Sequence, residues 1–278
     1  MPTFKQVDVF TKQKYKGNPV AVFFDADNLT SEDMANMSAW TNLSEATFIQ
    51  KPVSEEADYK VRIFSLRKEL PFAGHPTIGT CHALLEAGLA EPKNNHVIQE
   101  CEVGLVKLEL SSAEDREINF QLPYAARRDL SSSEILKVTN ALGVDTAINA
   151  AVYDVGPVWL TIQLDCAKTV LELKPDIFAL KKISLELNVT GFQVLGKYVE
   201  GESYETRTFA PAIGVVEDPV CGSGSGATAA FLRDSENRLG TIRLSQGKVL
   251  NRAGEITITV GPDIYVGGNA VTVIDGVY

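Results

Sequence analysis

The chain carries one strand–turn–helix segment twice. Residues 69–84 read ELPFAGHPTIGTCHAL, and residues 217–232 read EDPVCGSGSGATAAFL. Laid together without a gap, Glu69 falls on Glu217, Pro71 on Pro219, Gly74 on Gly222, Thr80 on Thr228 and Leu84 on Leu232. Just upstream, Arg62-Ile63-Phe64 matches Arg207-Thr208-Phe209, with a slightly longer spacer in the second copy. A repeat on this scale predicts two copies of one supersecondary unit, hence two lobes related by a pseudo-twofold axis. The cleft between such lobes is the expected ligand site.

The 278 residues suffice for two lobes with cores of their own. Short alternating segments dominate and predict strands. The first series is Phe4–Phe10, Val20–Asp25, Ala46–Lys51, Tyr59–Ser65, Val97–Leu110 and Glu117–Leu122. The second is Ala150–Val155, Val158–Leu164, Gly191–Tyr198, Tyr204–Phe209, Thr241–Leu244, Glu255–Val260 and Ala270–Ile274. Helices are predicted from a Thr30 cap to Trp40, over Pro76–Ala87, from Ser132 or Ser133 to Gly143, over Pro175–Lys182, and over Ser223–Arg233. The fold class is therefore α/β of the α+β kind, with mostly antiparallel strands. Polar runs around residues 112–130 place a lobe boundary there. The expected lobes are 1–115, completed by the C-terminal strand 265–278, and 116–264.

The charge balance narrows the partners. A formal net charge of −10 argues against nucleic acid or an anionic membrane, both of which need a basic patch. No apolar run approaches the length that spans a bilayer, and the opening MPTFKQVDVF reads as a strand rather than a signal peptide, so a cytoplasmic location is expected. Cys81, Cys101, Cys166 and Cys221 are scattered and read as free thiols. His75, His82 and His96 share no helix face at metal-ligand spacing, so no metal site is predicted.

Each repeat sets a glycine-rich turn at a helix start, where backbone N–H groups and the helix dipole suit a carboxylate or a developing enolate. Gly222-Ser223-Gly224-Ser225-Gly226 is the stronger of the two. Taken alone, such a run also fits a flexible loop or tight helix packing.

Several strings in order resemble the phenazine-biosynthesis PhzF family, whose fold is shared with diaminopimelate epimerase. They are Val9-Phe10-Thr11, Gly17-Asn18-Pro19-Val20-Ala21-Val22, Asn42-Leu43-Ser44-Glu45-Ala46-Thr47-Phe48, Leu70 through Gly79, Glu217-Asp218-Pro219-Val220, Gly222-Ser223 and Val266-Gly267-Gly268. The resemblance implies two lobes, each a small β-barrel around a central helix. It also implies a homodimer, no cofactor, and a proton shift that isomerises a cyclic hydroxy-amino acid or a related small carboxylic acid in a biosynthetic process.

The resemblance assigns Glu45 as general acid/base. Desolvation beside Ala46 and Phe48 would raise its pKa and let it take and return a proton. By position alone, Glu45 is an exposed glutamate at a strand end. His75 is assigned as a helper that orients the substrate or the carboxylate; a structural hydrogen bond before Pro76 fits it as well. Asp218 matches the second site carboxylate, and helix capping beside Pro219 is the plain alternative. Ser223 and the amides around Gly74, Gly222 and Gly224 would hold a substrate carboxylate. Asn18 is a substrate contact or a turn residue of Gly-Asn-Pro. Cys221 departs from the family pattern, which more often has threonine or alanine there. A thiol just before a helix start can have a depressed pKa and act as a base. In the repeat alignment, however, Cys221 falls on Ala73, so the first lobe offers no matching thiol. An amino-acid or hydroxy-acid epimerase using Cys221, and a non-catalytic small-ligand binding protein, are the competing functions.

Overall fold

The computed structural model describes residues 2–66, 68–111 and 116–278. The chain divides into two compact units, Met1–Gln121 with Gly267–Tyr278, and Leu122–Val266. The sequence-predicted boundary after residue 115 adjoins residues 112–115, which lie outside the described residues.

In the first unit, β1 (Thr3–Val9) pairs antiparallel with β2 (Asn18–Phe23). Helix α1 (Ser31–Thr41) carries the chain across to β3 (Glu45–Gln50), which runs parallel to β2. Its start is closed by a capping box, Thr30 accepting from the Asp33 amide and Asp33 from the Thr30 amide. β4 (Tyr59–Ser65) turns back along β3, and the short β5 (Glu69–Leu70) pairs with β4. Helix α2 (Gly74–Glu86) is the crossover to β6 (His96–Cys101), parallel to β4, followed by the antiparallel β7 (Gly104–Leu110) and β8 (Ile118–Gln121). Parallel neighbours need such helical crossovers, because no tight hairpin can join them.

The second unit repeats this plan. After β9 (Ala126–Asp129) and α3 (Ser132–Leu142), β10 (Asn149–Asp154) pairs antiparallel with β11 (Val158–Gln163). Helices α4 (Ala167–Glu172) and α5 (Ile177–Leu187) lead to β12 (Gly191–Lys197), parallel to β11. β13 (Tyr204–Ala210) pairs with β12 and with β14 (Val215–Asp218). Helix α6 (Gly222–Glu236) then crosses to β15 (Gly240–Gln246), parallel to β13, and β16 (Gly254–Val260) pairs back on β15. β17 (Ile264–Gly268) follows, and β18 (Ala270–Val277), which belongs to the first unit, pairs antiparallel with β1.

Each unit wraps strands around one helix. β1, β2, β3, β8 and β18 pack on α2, and β10, β11, β12 and β16 pack on α6. Both helices are buried almost all round, so neither has a polar face to show in its sequence. Small residues make this possible: Gly79 lies against Val9 and Val20. Thr80 bonds Thr47 at 2.8 Å, and its repeat counterpart Thr228 accepts from Gln193 at 3.2 Å. Paired hydroxyls and amides keep these buried polar atoms satisfied.

Some expectations shift. The run Val97–Leu110, predicted as one strand, folds into a hairpin whose second strand opens on Gly104 at φ +103°, a conformation glycine alone adopts readily. Helix α2 starts at Gly74, not Pro76, and Pro76 sits in the first turn where its missing N–H costs nothing. Helix α4 escaped notice because Cys166 gives its start no side-chain cap. Among the described residues, no helix is long and apolar enough to cross a membrane.

Candidate active site

In the first unit, the parallel start of β3 and the N-terminus of α2 bring Glu45 and His75 together. Glu45 Oε2 lies 3.5 Å from His75 Nε2, with side-chain exposures of 20% and 9%. Burial pushes the Glu45 carboxyl above its ordinary range, and a hydrogen bond from Ser44 opposes this in part. His75 is the second residue of α2, and Ala73 gives that helix start no side-chain cap. A carboxyl whose pKa is raised by burial, beside an imidazole, can both take and return a proton. Asn18, the first residue of β2, is buried opposite Val9. Gly74 has a packing reason for being glycine: a Cβ there would stand 2.6 Å from the Phe120 ring.

In the second unit, Asp218 ends β14 and its Oδ1 accepts from the Val220 amide at 3.0 Å. This fixes the turn into α6, and Cys221 caps the helix by accepting from the Gly224 amide at 3.3 Å. Gln246 spans the turn, donating to the Asp218 carbonyl at 2.9 Å and accepting from the Cys221 amide at 3.2 Å. Ser223 is half-buried on the first turn, accepting from the Trp159 indole N–H at 3.1 Å. Gly222 opens the helix, and at Gly224 a Cβ would overlap the Gln193 side chain.

The expectation of a depressed Cys221 pKa does not fit these surroundings. Burial first, and the Asp218 charge second, push the thiol up. Cys221 is 5% exposed and accepts the helix-start hydrogen bond as a protonated thiol. The capping N–H and the dipole are thus outweighed by desolvation. Cys81 is fully buried, and its thiol is pushed up to about 12. Among the described residues, no group of three or more His, Cys, Asp or Glu is placed to hold a metal ion.

Sequence reading missed Trp159 and Gln246. Both lie in strands whose alternation reads as core, and their partners are 64 positions away for Trp159 and 25 and 28 positions away for Gln246. The only advance signal was the polar Gln246 itself, a glutamine following Leu244 by two positions on a buried strand face.

The strand pairings also show what the repeat has changed. Ala46 stands opposite Phe64, and Phe192 opposite Phe209. With Phe64 and Phe209 equivalent, Glu45 corresponds to Gly191 and His75 to Ser223. The acid–base pair of the first unit has no counterpart in the second.

Comparison with known proteins agrees with this architecture. Over residues 7–276 the chain matches the family model PhzC-PhzF, described as phenazine biosynthesis-like protein. It is 44% identical to antisense-enhancing sequence 1 of Schizosaccharomyces pombe, covering 99% of this chain and 97% of that protein. It is 34% identical to trans-2,3-dihydro-3-hydroxyanthranilate isomerase of Pseudomonas aeruginosa, over 84% of this chain and 80% of the relative. Among solved structures, the PhzF-family phenazine biosynthesis protein of Bacillus anthracis superposes with a TM-score of 0.87 at 22% identity, covering 99% and 98% of the two chains. The chain belongs to the PhzC-PhzF phenazine biosynthesis-like family and is an isomerase of that type.

Proposed function

We propose that this protein isomerises a small carboxylic acid by moving one proton between two carbon atoms, with Glu45 as the acid/base. The observation that carries this reading is the desolvated Glu45 carboxyl, raised in pKa and 3.5 Å from His75. The Glu45 carboxylate takes a proton from substrate carbon. The electron pair spreads into the substrate's conjugated system, and the same carboxyl returns the proton at a second carbon. Atoms and charge balance with no oxidant or cofactor. His75 orients the carboxyl and supports the charge that develops.

The substrate class is a cyclic hydroxy-amino acid or a near relative, supported by the name of the Pseudomonas aeruginosa relative. In the second unit, Ser223 and the amides of Gly222 and Gly224 are proposed to bind the substrate carboxylate, and Asp218 its amine. An epimerase acting through Cys221 is less favoured, because a buried, protonated thiol is a poor base.

The test is deuterium incorporation from D2O into a cyclic hydroxy-amino acid substrate. Glu45→Gln should abolish incorporation while leaving substrate binding within a few-fold. Full exchange in that variant would overturn the assignment.

A further inference from the structure

The two helix starts are equivalent in sequence and opposite in chemistry. In the first unit the pair is Glu45 and His75, two titratable groups 3.5 Å apart. In the second, Gly191 takes the place of Glu45 and Ser223 that of His75. Gly191 cannot regain a side chain. Its Cβ would overlap the Phe209 carbonyl oxygen and stand 2.9 Å from Cζ3 of Trp159. The parallel register sets Trp159 directly beside Gly191. The space given up by the missing carboxylate is thus bordered by an indole ring that is 3% exposed. That ring donates its N–H to Ser223 Oγ at 3.1 Å.

An indole N–H donates and never accepts. It therefore occupies one lone pair of Ser223 Oγ and keeps the hydroxyl hydrogen off the Trp159 side. Cys221 Sγ lies 3.6 Å from Oγ, a weak acceptor that is itself held as a capping thiol. Resting on the proposed function, we infer that Trp159 is a positioning residue that fixes the Ser223 hydroxyl as a donor to the substrate carboxylate. The first unit's copy of the repeat moves protons. The second unit's copy binds an anion with neutral donors, and Trp159 is the residue that completes the exchange.

The chain has two tryptophans, Trp40 and Trp159, so its indole N–H region holds two side-chain resonances that Trp40→Phe assigns. The probe is anthranilate, with anthranilamide as the uncharged control. Saturation with anthranilate should move the Trp159 indole resonance, anthranilamide should move it much less, and Ser223→Ala should abolish the response. Trp159→Phe should weaken anthranilate binding about fivefold, the loss of one positioned hydrogen bond. In the Ser223→Ala background the same change should weaken it less than twofold. Equal losses in both backgrounds, an unmoved Trp159 resonance with anthranilate bound, or no anthranilate binding to the unsubstituted protein would each overturn the inference. If Trp159→Phe does not fold, the Trp159 resonance in Ser223→Ala carries the test, since Ser223 is only half-buried. Deuterium exchange through Glu45 is read separately, so the proposed function can fail while this inference stands, and the reverse.

Discussion

Arg207 grips Glu217 through two parallel hydrogen bonds of 2.8 Å, from Nε and Nη2, on side chains 5% and 10% exposed. Arg62 grips Glu69 in the same way at 2.7 and 2.6 Å, but on side chains 21% and 32% exposed. Each guanidinium also lies over the phenylalanine two residues on, at 5.2 Å from Phe64 and 5.0 Å from Phe209. The repeated Arg-x-Phe and Glu of the sequence are therefore one clamp built twice, tying β4 to β5 and β13 to β14 ahead of each helix start. Burial decides their different worth. Glu217→Gln removes the compensating charge from the buried Arg207 guanidinium, leaving it one amide oxygen and the Val170 and Leu173 carbonyls, and should cost about 3 kcal/mol. Glu69→Gln should cost about 1 kcal/mol or less, because water reaches that pair. Denaturant unfolding of the two variants checks the order, and equal losses would contradict it.

The clamp also shows how far the sequence could be read. Its residues lie close in the chain and recur in the same order, so the repeat was visible, whereas the short strands β5 and β14 that carry the two glutamates were not. Glu45 and His75 were singled out on family motifs, not on spacing, since a glutamate at a strand end carries no signal of its own. The Trp159–Ser223 bond and the Gln246 bridge were hidden, because tertiary contacts between a strand and a distant helix start leave no period in the sequence. The pKa of Cys221 was misjudged for a related reason: position at a helix start is legible, but the depth of burial that outweighs it is not.

The Glu45 carboxyl is raised by burial. The free enzyme needs it ionised, so kcat/KM should rise with pH through a midpoint above the ordinary glutamate range. Stability runs the other way. A raised folded-state pKa means the native protein holds the proton more tightly, so stability falls as pH rises from the unfolded to the folded pKa. Glu45→Gln should therefore melt higher than the parent at neutral pH, and the gap should close below the ordinary glutamate pKa. An unchanged gap across that window would show that desolvation of Glu45 is not its source.

Cysteine reactivity offers an internal comparison. Cys166 is half-exposed, and hydrogen bonds from Thr169 lower its pKa, whereas Cys221 is buried and its pKa is raised. Iodoacetamide at neutral pH should label Cys166 first and Cys221 and Cys81 last, read by peptide mass mapping. Cys221→Ser keeps an acceptor for the Gly224 amide and should retain turnover within about threefold. Cys221→Ala loses that cap and should cost about 1 kcal/mol of stability with turnover again retained. Loss of turnover in Cys221→Ser with the fold intact would return the thiol to the chemistry.

Gly74 separates packing from ligand approach. Its missing Cβ gives room to Phe120, 2.6 Å from where the Cβ would stand, and Phe120 in turn meets Phe72 edge-on at 5.4 Å between ring centres. Gly74→Ala must push that ring off its place, an overpacking cost of about 1–3 kcal/mol. Shortening the ring should relieve it, so Gly74→Ala with Phe120→Leu should regain part of the loss, more than the sum of the single changes allows. If Gly74 instead serves only the ligand, Gly74→Ala keeps its melting temperature and loses substrate affinity, and Phe120→Leu rescues nothing. Thermal unfolding of the three variants, with substrate binding measured on each, separates the two outcomes.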